Sequence, residues 1–169
     1  MRQAKEHADN RNWMETIVRH IPGFKGYLEK EYRRESDELQ RNWLAARLQQ
    51  SKKGLNEYMQ DLTAAGNLDA LPAVERVRLR LDKLQNRIAS AMQGYSGMFD
   101  LVRIDESVLD RVYQHDANLV DEVETLADTI ESLPTKSDPP ATLAAAIIQQ
   151  IDALEEAWDM REDILKGME

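Results

Sequence analysis

From Val74 the apolar residues recur at Val74, Val77, Leu81, Leu84, Ile88 and Ala91. Spacings that alternate between three and four make a heptad seam, the mark of a helix with one buried stripe. The seam predicts a helix that starts at Asp69 or Leu71, with Pro72 in its first turn, where a missing N–H is harmless. A second seam runs through Leu109, Val112, Leu119, Val123, Leu126, Ile130 and Leu133. It is interrupted once, at Asp116. Two seams joined by the corner Gly94–Asp100 predict an antiparallel helical hairpin. Gly94 suits a left-handed helix cap. Asp105 suits the N-cap of the second helix.

The same reading extends to the rest of the chain. Residues 3–20 form a first helix with Trp13, Ile17 and Ile21 on one face, broken at Pro22-Gly23. A long helix is expected from Lys25 or Gly26 to Ala65, with Leu28, Tyr32, Leu39, Trp43, Leu44, Leu48, Leu55, Tyr58, Met59 and Leu62 as its apolar positions. Gly54 is a weak point in it, costing about 1 kcal/mol relative to alanine. At 1.5 Å per residue such a helix spans about 60 Å. It outruns the next helix, so the first helix, the last helix or another copy of the chain must cover the excess. Residues 134–140, with three prolines, form a linker. After it comes an amphipathic helix with the seam Leu143, Ile147, Ile151, Leu154, Trp158 and Leu165.

The expected fold is all-α: an elongated antiparallel bundle of four to five helices with coiled-coil-like packing. Residues 1–133 form its core. Residues 141–169 pack on that core or on a partner.

Charge adds an asymmetry. Of the net −9, residues 1–103 hold 18 basic and 14 acidic side chains, and residues 104–169 hold 4 and 17. Arg76, Arg80, Lys83 and Arg87 share one flank of their helix. That flank is expected to face the acidic helix 105–133, selecting the pairing more than stabilising it, since exposed ion pairs are worth about 0–1 kcal/mol. An acidic second half disfavours nucleic acid, whose binding depends on neutralising phosphates.

No apolar run reaches transmembrane length. The polar N-terminus lacks a signal region, so a cytoplasmic location is expected. With no cysteine, disulfides, thiolate metal sites and cysteine nucleophiles are excluded.

Candidate chemistry is sparse. His7, His20 and His115 have no metal-ligand spacing, and no Glu-x-x-His pair, zinc motif, phosphate loop or nucleophile elbow occurs. No catalytic residue, metal or cofactor is expected. Asp116 sits on a seam, and a lone buried carboxylate needs a partner. Arg87, Arg47 or Tyr95 could serve. Three readings stay open: a polar layer that fixes register, a shift in helix phase that exposes Asp116 and buries His115, or a functional site.

Two stretches offer contact surfaces. Arg19, Phe24, Lys25, Tyr27, Arg33 and Arg34 mix basic and aromatic groups around a turn, which fits a helix corner, an acidic partner or anionic lipid. Tyr95, Met98 and Phe99 make the corner at 94–100 too apolar for a solvated loop.

Ile21-Pro22-Gly23, Gly26-Tyr27, Arg33-Arg34, Asp82-Lys83 and Gly94-Tyr95-Ser96-Gly97-Met98-Phe99-Asp100 resemble an uncharacterised family of bacterial helical proteins. The resemblance spans roughly residues 19–126. It implies a cytoplasmic protein in membrane-stress contexts and carries no catalytic residue across. The expected function is a non-enzymatic interaction or scaffold protein, with a protein partner or self-association. The alternatives are a peripheral binder of anionic membranes through residues 19–34, and an enzyme or small-ligand bundle using the layer at Asp116.

Overall fold

The computed structural model describes residues 12–91 and 106–166. The expectations placed on residues 3–11, on the corner with Tyr95, Met98 and Phe99, and on the Asp105 cap lie outside the described residues. Residues 12–20 are helical and are called α1. Then come α2 (Lys30–Ala64), α3 (Leu71–Ser90), α4 (Glu106–Glu131) and α5 (Pro140–Lys166), with 3-10 turns at Leu68–Ala70 and Leu133–Thr135. The fold is an all-α bundle, and the described residues contain no strand.

Each seam becomes a buried stripe. Val74, Val77, Leu81, Leu84 and Ile88 of α3 are all buried. So are Leu109, Val112, Leu119, Val123, Leu126 and Ile130 of α4, and Ile147, Ile151, Leu154, Trp158 and Leu165 of α5. They join one continuous core. Helix α2 ends in a Schellman turn: Gly66 is left-handed at φ +73°, and the Asn67 N–H donates to the Leu62 carbonyl at 2.9 Å.

The neighbours differ from the expected hairpin. Helix α3 packs on α2 and α5, and α4 packs on α2 and α5, which sets α3 and α4 on a diagonal. A heptad seam states which stripe faces the core but not which helix lies beside it. Tyr27 stacks on Tyr113 and Gly54 meets Glu131, so α2 and α4 run parallel. Arg80 pairs with Asp152 and Arg87 with Asp159, so α3 and α5 run parallel too. Lys52 pairs with Asp82 across the antiparallel pair α2 and α3.

The ion pairs correct the charge expectation as well. Of the flank Arg76, Arg80, Lys83 and Arg87, Arg80 and Arg87 form ion pairs, and they reach Asp152, Glu155, Asp159 and Glu162 on α5, not the acidic helix α4. The acids of α4 instead gather on Arg47 of α2: Glu124 at 3.1 Å, Asp128 at 3.2 Å and Glu131 at 2.6 Å. The hydrogen bonds to Glu131 and then Glu124 raise the Arg47 pKa, against the desolvation that would lower it.

The overhang of α2 beyond α3 is covered by this same chain. His20 of α1 meets the edge of Trp43, and Ile17, Ile21 and Phe24 are buried there. The last helix docks on the bundle too, on α3 and α4.

Helix α2 begins later than expected because Gly23 and Gly26 are left-handed, at φ +88° and +86°, and cannot continue a helix. Leu28 therefore lies ahead of α2 and is 70% exposed rather than in the core. Gly54 is not a weak point. A Cβ there would stand 2.5 Å from the Glu131 Cα and 2.7 Å from the Ile130 carbonyl oxygen. Glycine is what lets α2 and α4 touch.

Candidate functional site

The α2 stripe reads Asp37, Arg41, Leu44, Leu48, Ser51, Leu55, Tyr58 and Leu62, again in steps of three and four. All eight are buried. The charged pair comes first, near the start of α2. Asp116 falls near the start of α4 and Arg161 near the end of α5. The bundle therefore collects four charges at one end: two carboxylates and two guanidiniums, with no net charge.

Arg161 is the hub and is fully buried. Its Nε donates to Asp116 Oδ1 at 2.6 Å, and its Nη2 donates to Asp37 Oδ1 at 2.6 Å and Gln40 Oε1 at 3.0 Å. Arg41 Nε donates to the other Asp37 oxygen at 2.9 Å. The Arg161 guanidinium also lies over the Trp158 ring, 5.3 Å from its centroid. Burial works against the charge of Arg161, but Asp116 and Asp37 outweigh it and hold its pKa well above the usual value.

The turn at residues 21–29 supplies the last member. Two left-handed glycines bring Tyr27 inward, and the backbone is tied down on three sides. The Lys25 N–H donates to Ser36 Oγ at 3.1 Å, and the Tyr27 N–H to the Tyr113 hydroxyl at 2.8 Å. Arg33 Nε donates to the Tyr27 carbonyl at 2.5 Å. The Tyr27 hydroxyl then donates to Asp116 Oδ2 and lies 3.0 Å from Gln40 Oε1. Burial, then the Asp116 charge, pushes the Tyr27 pKa well up, so the phenol stays protonated.

Asp116 is thus wholly buried, but its partners are Arg161 and Tyr27. Arg47 and Arg87, suggested by the sequence, are engaged elsewhere, and Tyr95 lies outside the described residues. Asp116 stays on the seam, so the phase shift does not occur. His115 beside it is half-buried.

Chemically, this is a charge-neutral hydrogen-bonding layer that ties the 21–29 turn, α2, α4 and α5 together, with Gln40 Nε2, Arg41 Nη1 and Arg161 Nη1 buried and without a hydrogen-bond partner among the described residues. Among the described residues no group of three metal-ligating side chains is assembled. Tyr27→Phe should lower stability by about 1.5–3 kcal/mol in urea unfolding, the range for a bond to a charged acceptor. A loss under about 0.5 kcal/mol would contradict the buried bond.

The basic and aromatic surface expected at residues 19–34 is dismantled. Phe24 and Tyr27 are buried, at 4% and 0% exposure. Arg33 is spent on the turn carbonyls. Lys25 lies over the Tyr32 ring at 4.6 Å. Arg19 and Arg34 remain exposed.

His115 gives the network a pH signature. Its partial burial, aided by Arg161 and Arg111 and opposed by Asp116, lowers its pKa from 6.5. The native state then binds this proton less readily than the unfolded chain. The stability it contributes is present above about pH 6.5 and is lost as pH falls through the lower native pKa. Urea midpoints of His115→Asn should fall less than those of the unsubstituted chain across that window. Parallel curves would exclude the effect.

Comparison with protein-family models, with curated proteins and with solved structures finds no match. No helix among the described residues is long and apolar enough to cross a membrane.

Proposed function

We propose that the chain is a non-enzymatic interaction or scaffold protein that presents an outward strip of α3. One observation carries this reading. Arg76, Leu79 and Lys83 are exposed along one flank of α3, Leu79 to 62%. Among the described residues neither Arg76 nor Lys83 makes an ion pair, whereas Arg80 and Arg87 on the same helix do. An exposed apolar side chain between cations that form no ion pair with the described residues suits a protein contact.

The charged layer at Asp116 fits this reading as a support. Its carboxylates and guanidiniums bond one another and hold the bundle end rigid. A bacterial cytoplasmic setting beside membrane-associated assemblies belongs to the proposal and rests on the resemblance over roughly residues 19–126.

The test is a photo-crosslinking side chain placed at Leu79 in host cells, with exposed Gln60 of α2 as control. Discrete adducts from position 79 that position 60 does not give are expected. Equal or absent adducts at both would overturn the reading.

A further inference from the structure

The strip on α3 lies beside a strip of opposite sign. Glu156, Met160 and Asp163 are exposed on α5, Met160 to 54%. Residues three, four and seven apart share a helix face. Arg76 and Lys83 therefore share the flank of Arg80 and Arg87, which turns toward α5. By the same spacing, Glu156 and Asp163 share the flank of Asp152 and Asp159, which turns toward α3. Both strips thus belong to the single side of the bundle formed by α3 and α5.

The ion pairs set their relative height. Arg80 meets Asp152 and Glu155, and Arg87 meets Asp159 and Glu162. The offset is the same in both sets, because the two helices run parallel. It puts Lys83 level with Glu156, and Leu79 level with Asp152 and Ala153. A two-fold axis parallel to the helices exchanges left and right but preserves height. It would set α3 of one copy against α5 of the next without changing any level.

We infer that this side is a two-fold interface with a second copy of this chain, in which Lys83 pairs with the partner's Glu156 and Leu79 packs on the partner's Ala153. This rests on the interaction reading above and names the partner. An isologous patch must be self-complementary, and a basic strip beside an acidic strip at matched height meets that condition. The size sets the strength. Helix α3 has 20 residues, or about 30 Å at 1.5 Å per residue. Two helices about 10 Å apart then present a face of about 600 Å² per copy. That is at the low end for specific interfaces, so the dimer forms reversibly and in proportion to concentration.

Sedimentation equilibrium of the full chain, from micromolar to near-millimolar, tests this. The expected result is a monomer–dimer equilibrium. K83E and E156K each weaken it at least about tenfold, because each contact occurs twice. The double variant K83E/E156K, with the signs exchanged, recovers it. Both substituted positions are exposed, and far-ultraviolet circular dichroism confirms folding. A monomer at every concentration, single variants that dimerise normally, or a double variant that stays weak would each overturn the dimer. If position 79 still gives adducts with other proteins while the chain is monomeric, the dimer falls and the interaction reading stands. If position 79 gives no specific adduct, both fall.

Discussion

Arg161→Met lowers the unfolding free energy by about 3–5 kcal/mol, the range for breaking a buried ion pair from one side. The substitution keeps much of the side-chain volume, so the effect is electrostatic. It leaves Asp37 and Asp116 facing each other with only Arg41 for compensation, in a site that water does not reach. The informative comparison is with the double substitution Arg161→Met and Asp116→Asn. Removing both charges restores neutrality, with Asp37 still held by Arg41 at 2.9 Å. The double variant is therefore more stable than the single one, by about 0.5–3 kcal/mol, the scale on which contacting residues couple. Equilibrium urea unfolding of both proteins measures this. If Arg161→Met lost less than about 1 kcal/mol, or if the double variant were weaker still, Arg161 would not be the hub described.

Gly54→Val is the second large effect. Helix propensity alone favours replacing a mid-helix glycine by up to about 1 kcal/mol. Here packing wins, because a Cβ would press on the backbone of α4 at Ile130 and Glu131. Backbone cannot rotate aside as a side chain can. Helices α2 and α4 must separate, loosening the core contacts between them and the three carboxylates around Arg47. The expected loss is about 3 kcal/mol, at the upper end for overpacking. A thermal or urea midpoint equal to that of the unsubstituted chain would show that the close approach is absent. Gly66→Ala is a useful contrast, since nothing stands near its Cβ and only its left-handed backbone is strained.

Helix existence and the buried stripes were legible in the residues because three-and-four spacing is a local property. Helix α3, expected to start at Asp69 or Leu71, starts at Leu71. Adjacency was not legible. The second half holds two acidic helices, and the flank of α3 suits either, so charge alone could not choose α5 over α4. Asp116 stood out because it interrupts a seam. The same signal marks its partners: Arg161 takes the step between Trp158 and Leu165, and Asp37 and Arg41 extend the Leu44–Leu48 series toward the helix start. Reading every charge on a seam, rather than one, would have assembled the network. Tyr27 had no such signal, since its burial depends on two left-handed glycines and a hydroxyl from α4. Nor could sequence separate Arg76 and Lys83 from Arg80 and Arg87, which differ only in what stands beside them.

The diagonal placement of α3 and α4 has a consequence for assembly. The chain consists of two consecutive hairpins, α2–α3 and α4–α5, laid side by side. The first brings Asp37 with Arg41, and the second brings Asp116 with Arg161. Each of these two pairs is charge-neutral by itself, and within the layer Arg161 spans the hairpins by its bonds to Asp37 and Gln40. The layer therefore works as a key between mating halves. Sliding one hairpin by a single turn, about 5.4 Å, would break the bonds from Arg161 to Asp37 and Gln40, while Asp116 kept Arg161 and Asp37 kept Arg41. Two pieces cut between Ser90 and Glu106 would still carry complementary halves of that key, and with it the instruction for finding each other in one alignment.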